Sequence, residues 1–156
     1  MGWSSMSDDR TLYDIAETNY DSAVHLYRYK TDDAILLNIV GYHLQQAVEL
    51  ALKHCLEMEG KDYPKTHDIN DLLAHFSAAA DWETLELLAP KITELETRTR
   101  YDKDFSANVT IVERVFAAAR QFLDWVGEQE VQRRREAERE SANINAAAIK
   151  RNDRKS

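Results

Sequence analysis

The stretch His43-Leu44-Gln45-Gln46-Ala47-Val48-Glu49-Leu50-Ala51-Leu52-Lys53 decides the fold. Its apolar residues recur at helical steps, and neither glycine nor proline interrupts them. Extended outward, Leu37, Val40, Leu44, Ala47, Val48, Ala51, Leu52 and Cys55 fall on one wide face of a single helix. Thr31-Asp32 offers a helix start before that face. Gly60 is a stop after Glu59, because glycine alone takes the left-handed conformation beyond a helix end at low cost. Gly41, inside the helix, marks a place where two helices approach closely.

The same pattern continues on both sides. Met1–Ser7 has no apolar period and is expected to be frayed. Asp8 or Asp9 can cap a first helix running to about residue 30, with Leu12, Ile15, Ala16, Tyr20, Ala23 and Tyr27 as its stripe. After a loop stiffened by Pro64, Thr66 or Asp68 caps a short helix to about Ser77, which packs through Ile69, Leu72, Leu73 and Phe76. A further helix starts near Asp81 with Leu85, Leu88, Ile92 and Leu95 as its stripe, and Pro90 predicts a kink or a fresh start within it. The polar stretch Thr97–Asn108 breaks the period. Val112, Val115, Phe116, Ala119, Phe122, Leu123 and Val126 then share one face of the cleanest helix of all. The expected architecture is all-α: an up-and-down bundle of four main helices plus one short helix. The expected domain is residues 8–126, followed by a charged extension, residues 127–156, with little to bury. That extension is a solvated helix, a segment ordered by a neighbour, or disordered.

Three pieces of this chain resemble the HEPN domain family. They are Gln45-Gln46-Ala47-Val48-Glu49 running on to Ala51-Leu52-Lys53, the later His67-Asp68, and Arg100-Tyr101-Asp102. The resemblance covers roughly residues 8–126. It implies a helical bundle, a homodimer, and an association with nucleotides or RNA. It also implies a partner protein of the nucleotidyltransferase or toxin–antitoxin kind, or a place in a defence system. Catalytic members carry Arg, four to six residues, then His on a late helix, with Arg stabilising phosphate charge and His moving the 2′-hydroxyl proton. The five histidines here are His25, His43, His54, His67 and His75, and none follows an arginine at that spacing. The resemblance therefore implies a non-catalytic nucleotide- or RNA-associated module. Two alternatives stand beside it: a metal-independent ribonuclease with an atypical site, and a pure protein-interaction dimer.

Composition narrows the ligand. The chain of 156 residues is 44% apolar with a net charge of −8. Residues 127–156 hold eight Lys/Arg and six Asp/Glu, which leaves the first 126 residues at −10. Such a body repels duplex nucleic acid at long range but leaves room for a local basic site. No apolar run is long enough to span a bilayer, and no leader pattern opens the chain, so a cytoplasmic protein without membrane attachment is expected. The single cysteine, Cys55, reads as an inert core residue. No His/Cys/Asp/Glu spacing suggests a metal site, no phosphate-binding glycine loop is present, and no cofactor is expected.

Three groups of residues can carry chemistry. Arg98, Arg100, Tyr101, Asp102 and Lys103 combine two guanidiniums that can grip phosphate with a ring that can stack a base. The same arginines can instead pair with Asp102, Asp104 or the last carbonyls of a helix. Gln46, Glu49 and Lys53 share one side of the second helix, either as a solvated face with an ordinary ion pair or as a polar rim for a ligand. His67 and Asp68 stand at a helix start, where Asp68 caps and His67 anchors the loop. The alternative for His67 is proton transfer near neutral pH.

Overall fold

The computed structural model describes residues 9–29 and 32–155, and every regular element among them is helical. The all-α expectation holds. Helix α1 spans Leu12–Tyr29, α2 Ala34–Met58, α3 Ile69–Leu73, α4 Glu83–Tyr101 and α5 Val109–Lys155, with a 3-10 turn at Ala79–Asp81. The chain divides into two compact units, Met1–Asp124 and Trp125–Ser156. Met1–Ser7, the Asp8 cap and the Thr31 start signal lie outside the described residues.

In the first unit α2 is antiparallel to α1, with His43 Nδ1 2.9 Å from Asn19 Oδ1 near the middle and the Tyr13 and His54 rings 6.0 Å apart further along. Helix α4 is antiparallel to α2: the Thr99 hydroxyl donates to the Asn38 carbonyl, and Leu95 lies against Gly41. The opening part of α5 runs back along α1 through Tyr27–Glu113, Tyr20–Phe116 and Glu17–Arg120. The order is therefore up-and-down. Leu44, Val48, Leu52 and Leu56 of α2, Ile69 and Leu72 of α3, Leu85 and Ile92 of α4 and Phe122 of α5 are all fully buried. Each such side chain contributes roughly 1.5–3 kcal/mol of hydrophobic stabilisation.

Local chemistry explains the helix ends. Thr11 Oγ1 accepts the Asp14 N–H while Asp14 Oδ2 accepts the Thr11 N–H, a reciprocal cap that starts α1 in place of Asp9. Asp33, one residue after the expected signal, caps α2 through the Ile35 and Leu36 N–H groups. Gly60, at φ +67°, ends it, with Lys61 N–H bonded to the Leu56 carbonyl and Gly60 N–H to that of Glu57. Asp68 caps α3 through the Asn70 N–H.

Four expectations need correction. Ile15 is exposed, because the buried line of α1 runs through Ala16 and Ala23 on the neighbouring face. α3 stops at Leu73, and Phe76 reaches the core from the turn that follows. Pro90 does not restart the helix: α4 runs from Glu83 to Tyr101 through it. Proline there is exposed and forfeits one backbone bond on the wet side. The expected break at Thr97 comes five residues late, at Asp102.

The second unit is the remainder of α5. Val126 and Glu130 are buried, and Arg133 donates twice to Glu130. Every residue from Val131 to Lys155 is helical and exposed.

Candidate functional site

The last turn of α4 carries the arginine cluster, and its two arginines differ. Arg98 has its fork filled. Nη1 donates to Glu94, Nε and Nη2 donate to Asp102, and the guanidinium lies 4.6 Å from the Phe105 ring centre. The bonds from Glu94 and then Asp102 raise the Arg98 pKa, and the Arg98 bond first of all lowers that of Asp102. This is the pairing reading for Arg98. It also shapes the turn, since the other Asp102 oxygen accepts the Asp104 N–H.

Arg100 is held by one side only. Its Nη1 donates to Glu96 at 2.7 Å, which raises the guanidinium pKa, and the side chain remains 43% exposed over a 4% exposed carboxylate. Among the described residues its Nε and Nη2 have no bonded partner. Its guanidinium carbon stands 5.0 Å from the centre of the Tyr101 ring, itself 73% exposed. Tyr42 of α2 lies within electrostatic reach of Arg100. An arginine fixed at one nitrogen keeps a two-donor edge for an oxyanion, and the open face of an exposed ring can stack a base. Lys103, also exposed, follows directly.

Of the two readings of Gln46, Glu49 and Lys53, the fully solvated face is not found. Glu49 is 2% exposed and forms a hub. It accepts from Lys53 Nζ at 2.8 Å, Gln45 Nε2 at 2.8 Å and Gln46 Nε2 at 3.3 Å, and it meets His67 Nδ1 at 3.0 Å. Gln45 also donates to the His67 carbonyl, so the hub ties the loop before α3 to α2. A buried carboxylate needs such a set of donors to offset its lost hydration. Asp68 caps and His67 anchors, while the outer part of the His67 ring stays exposed.

Sequence reasoning missed three residues. Gln45, quoted only as part of the helix motif, is fully buried. Glu96 was not singled out; its one signal was the i,i+4 spacing to Arg100. Asn38 had no signal at all. Its side chain donates to the Phe105 carbonyl and accepts the Ala107 N–H, both at 2.7 Å, and so fixes the loop that follows Tyr101. Glu49 is bonded within α2 and to His67, whereas Arg100 is bonded to Glu96 of its own helix.

The remaining histidines are engaged elsewhere. His25 and His75 each place Nδ1 on a carbonyl four residues back, and burial lowers the pKa of His43. Among the described residues no group of three or more His, Cys, Asp or Glu could hold a metal ion. No helix among them is long and apolar enough to cross a membrane.

The described residues form a helical up-and-down bundle with a hub around the buried Glu49 and an Arg-Tyr pair at a helix end. The family model of the HEPN domain matches residues 10–131, and the chain belongs to that family. Members of it often dimerise. No curated protein and no solved structure matches the chain.

Proposed function

We propose that this HEPN domain is a non-catalytic module that binds a nucleotide or RNA phosphate through Arg100, with Tyr101 stacking on the base. The observation that carries the reading is the half-satisfied guanidinium: one nitrogen tied to the buried Glu96, the other edge open, beside an exposed aromatic ring. Fixing a cation before the ligand arrives lowers the entropy lost on binding. Arg98 has a supporting part, since Glu94 and Asp102 already fill its fork and it holds the turn that presents Tyr101.

The non-catalytic part of the proposal rests on the absent Arg-x4–6-His spacing. The partners proposed with it are a second copy of the chain and a nucleotidyltransferase- or toxin–antitoxin-type protein, on the strength of the family. Fluorescence anisotropy with labelled uridine and adenine nucleotides tests the site. Arg100→Ala is expected to weaken binding at least tenfold, with helical circular dichroism unchanged, because the side chain is largely outside the core. Unchanged affinity in that variant rejects the site, and cleavage of a labelled RNA by the parent protein rejects the non-catalytic assignment.

A further inference from the structure

The exposed end of α5 carries a charge pattern that its own turns do not use. Glu136, Glu140, Ile144, Ala147, Arg151 and Lys155 follow one another at steps of four, four, three, four and four residues. At about 100° per residue all six share one face of the helix, and every one of them is exposed. Along that face run two acids, an isoleucine, an alanine and two bases, at a spacing that reads the same in both directions. Ile144 is 63% exposed at its centre, beside a shallow concavity of about 310 Å³ lined by Glu140, Asn143, Ala147, Ala148 and Arg151. Among the described residues none of Glu136, Glu140, Arg151 and Lys155 forms an ion pair or a hydrogen bond through its side chain.

We infer that this face seats the same face of a second copy of the chain, the two extensions lying antiparallel about a twofold axis between Asn145 and Ala146. In that register Glu136 meets Lys155 of the second copy, Glu140 meets its Arg151, and Ile144 packs on its Ala147. Symmetry makes each contact twice. Charge selects the direction. Residues 136–140 hold three Glu and one Arg, net −2, and residues 150–155 hold four Lys/Arg and one Asp, net +3. Antiparallel pairing lays the acidic stretch on the basic one, while parallel pairing sets like charge on like, which is repulsive. Glu138 and Asp153, which this register also opposes, fall on the far side of the helix by the same period. Ile144, Ala147, Ala148 and Arg151 stand at i, i+3, i+4 and i+7, the four corners of a hole for one knob of a facing helix. The overlap from Glu136 to Lys155 is about 30 Å long. With two Ile–Ala pairs at its centre and charge pairs on either side, the contact is weak and sensitive to salt. Residues 132–156 lie beyond the stretch that the HEPN model matches, so this contact is separate from any dimer made by the domain itself.

Sedimentation velocity of the full chain across a concentration series reads the association. Ile144→Gln, which keeps a good helix former, and Glu140→Arg are each expected to weaken it at least fivefold with helical circular dichroism unchanged. Glu140→Arg combined with Arg151→Glu restores opposite charges across the axis, and it is expected to return the affinity to within about twofold of the parent's. Crosslinking fixes the direction. Glu140→Cys combined with Arg151→Cys is expected to give covalent dimers on oxidation, since about 16 Å of helix keeps the two thiols of one chain apart. Glu140→Cys alone is expected to give none. A chain that is monomeric throughout, no recovery in the double charge variant, or efficient crosslinking by Glu140→Cys alone overturns the antiparallel contact. A dimer untouched by Ile144→Gln and Glu140→Arg overturns it too, and assigns the second copy to the domain. The contact does not depend on Arg100, so self-association without nucleotide binding, or the reverse, separates failure of one reading from failure of the other.

Discussion

Arg120 shows how much one side chain can organise. It donates to Glu17 through two nitrogens and to Asp124 through a third bond, and its guanidinium carbon lies 4.6 Å from the Tyr20 ring centre. Burial pushes the Glu17 carboxyl upward, but the bonds from Arg120 and Tyr13 outweigh it and hold the pKa below its ordinary value. A carboxyl lowered in the folded state adds stability above its ordinary range and loses it as pH falls through the lowered value. Arg120→Met is therefore expected to move the midpoint of acid unfolding to higher pH. At pH 7 the same variant should lose about 1 kcal/mol, a modest figure because the pair is partly solvated. Urea unfolding at several pH values reads both effects, and an acid limb superimposable on the parent's would refute the assignment. Nothing in the sequence pointed to this pair, since its members are 103 positions apart. The same holds for Asn38, and it holds for the burial of Glu49 and Glu96: whether a polar residue is covered depends on the neighbouring helices, which periodicity within one helix does not report. What could be read locally was i,i+4 pairing, and Glu49–Lys53 was found that way.

At the level of elements, apolar period marked each of α1 to α5, and two of the errors fell at ends while Ile15 and Pro90 were misread inside their helices. α4 outlasts its apolar stripe because its last turns are held by charge pairs, Glu94–Arg98, Glu96–Arg100 and Arg98–Asp102, in place of core contacts. A reader counting hydrophobes ends that helix early and misplaces Arg100 and Tyr101 in a loop. α3 errs the other way, since Phe76 keeps the period in sequence but is delivered to the core by a turn. Gly41 was read as a close approach of the first two helices, and the helix that approaches it is α4 instead. A Cβ there would stand 2.9 Å from Leu95 Cδ2 and 3.4 Å from its Cβ, with Leu95 only 2% exposed. Gly41→Ala gains about 1 kcal/mol of helix propensity but incurs the strain of overpacking, typically 1–3 kcal/mol. A net loss of about 1 kcal/mol is expected, read as a lower urea midpoint at unchanged m-value. A variant more stable than the parent would mean that α2 and α4 can part without cost.

For the molecule as a whole, the legible part was the class of fold and the family, because both rest on residues that recur at fixed spacing within single helices. The candidate site was legible only in part: its residues were named, while the division of labour between Arg98 and Arg100 depends on which carboxylates surround each. The long end of α5 follows a different rule from the rest. With every residue from Val131 to Lys155 exposed, its helicity depends on local propensity rather than on core packing. Removing residues 132–156 is expected to leave the thermal midpoint of the remaining chain within about 2 °C, a shift below about 0.5 kcal/mol for a domain of this size. A drop of ten degrees would show that the exposed turns stabilise the rest.

The Asn38 clasp has a consequence in time as well as in space. Because one carboxamide grips the backbone on both sides of Ser106, and the Ala107 N–H is bonded and buried, that amide can trade its hydrogen with solvent only when α2 lets go of the loop. A stretch that looks like ordinary surface connection therefore opens on the clock of the core. The end of α4 that carries Arg100 and Tyr101, just before it, is kept in register for as long as the bundle itself stays closed.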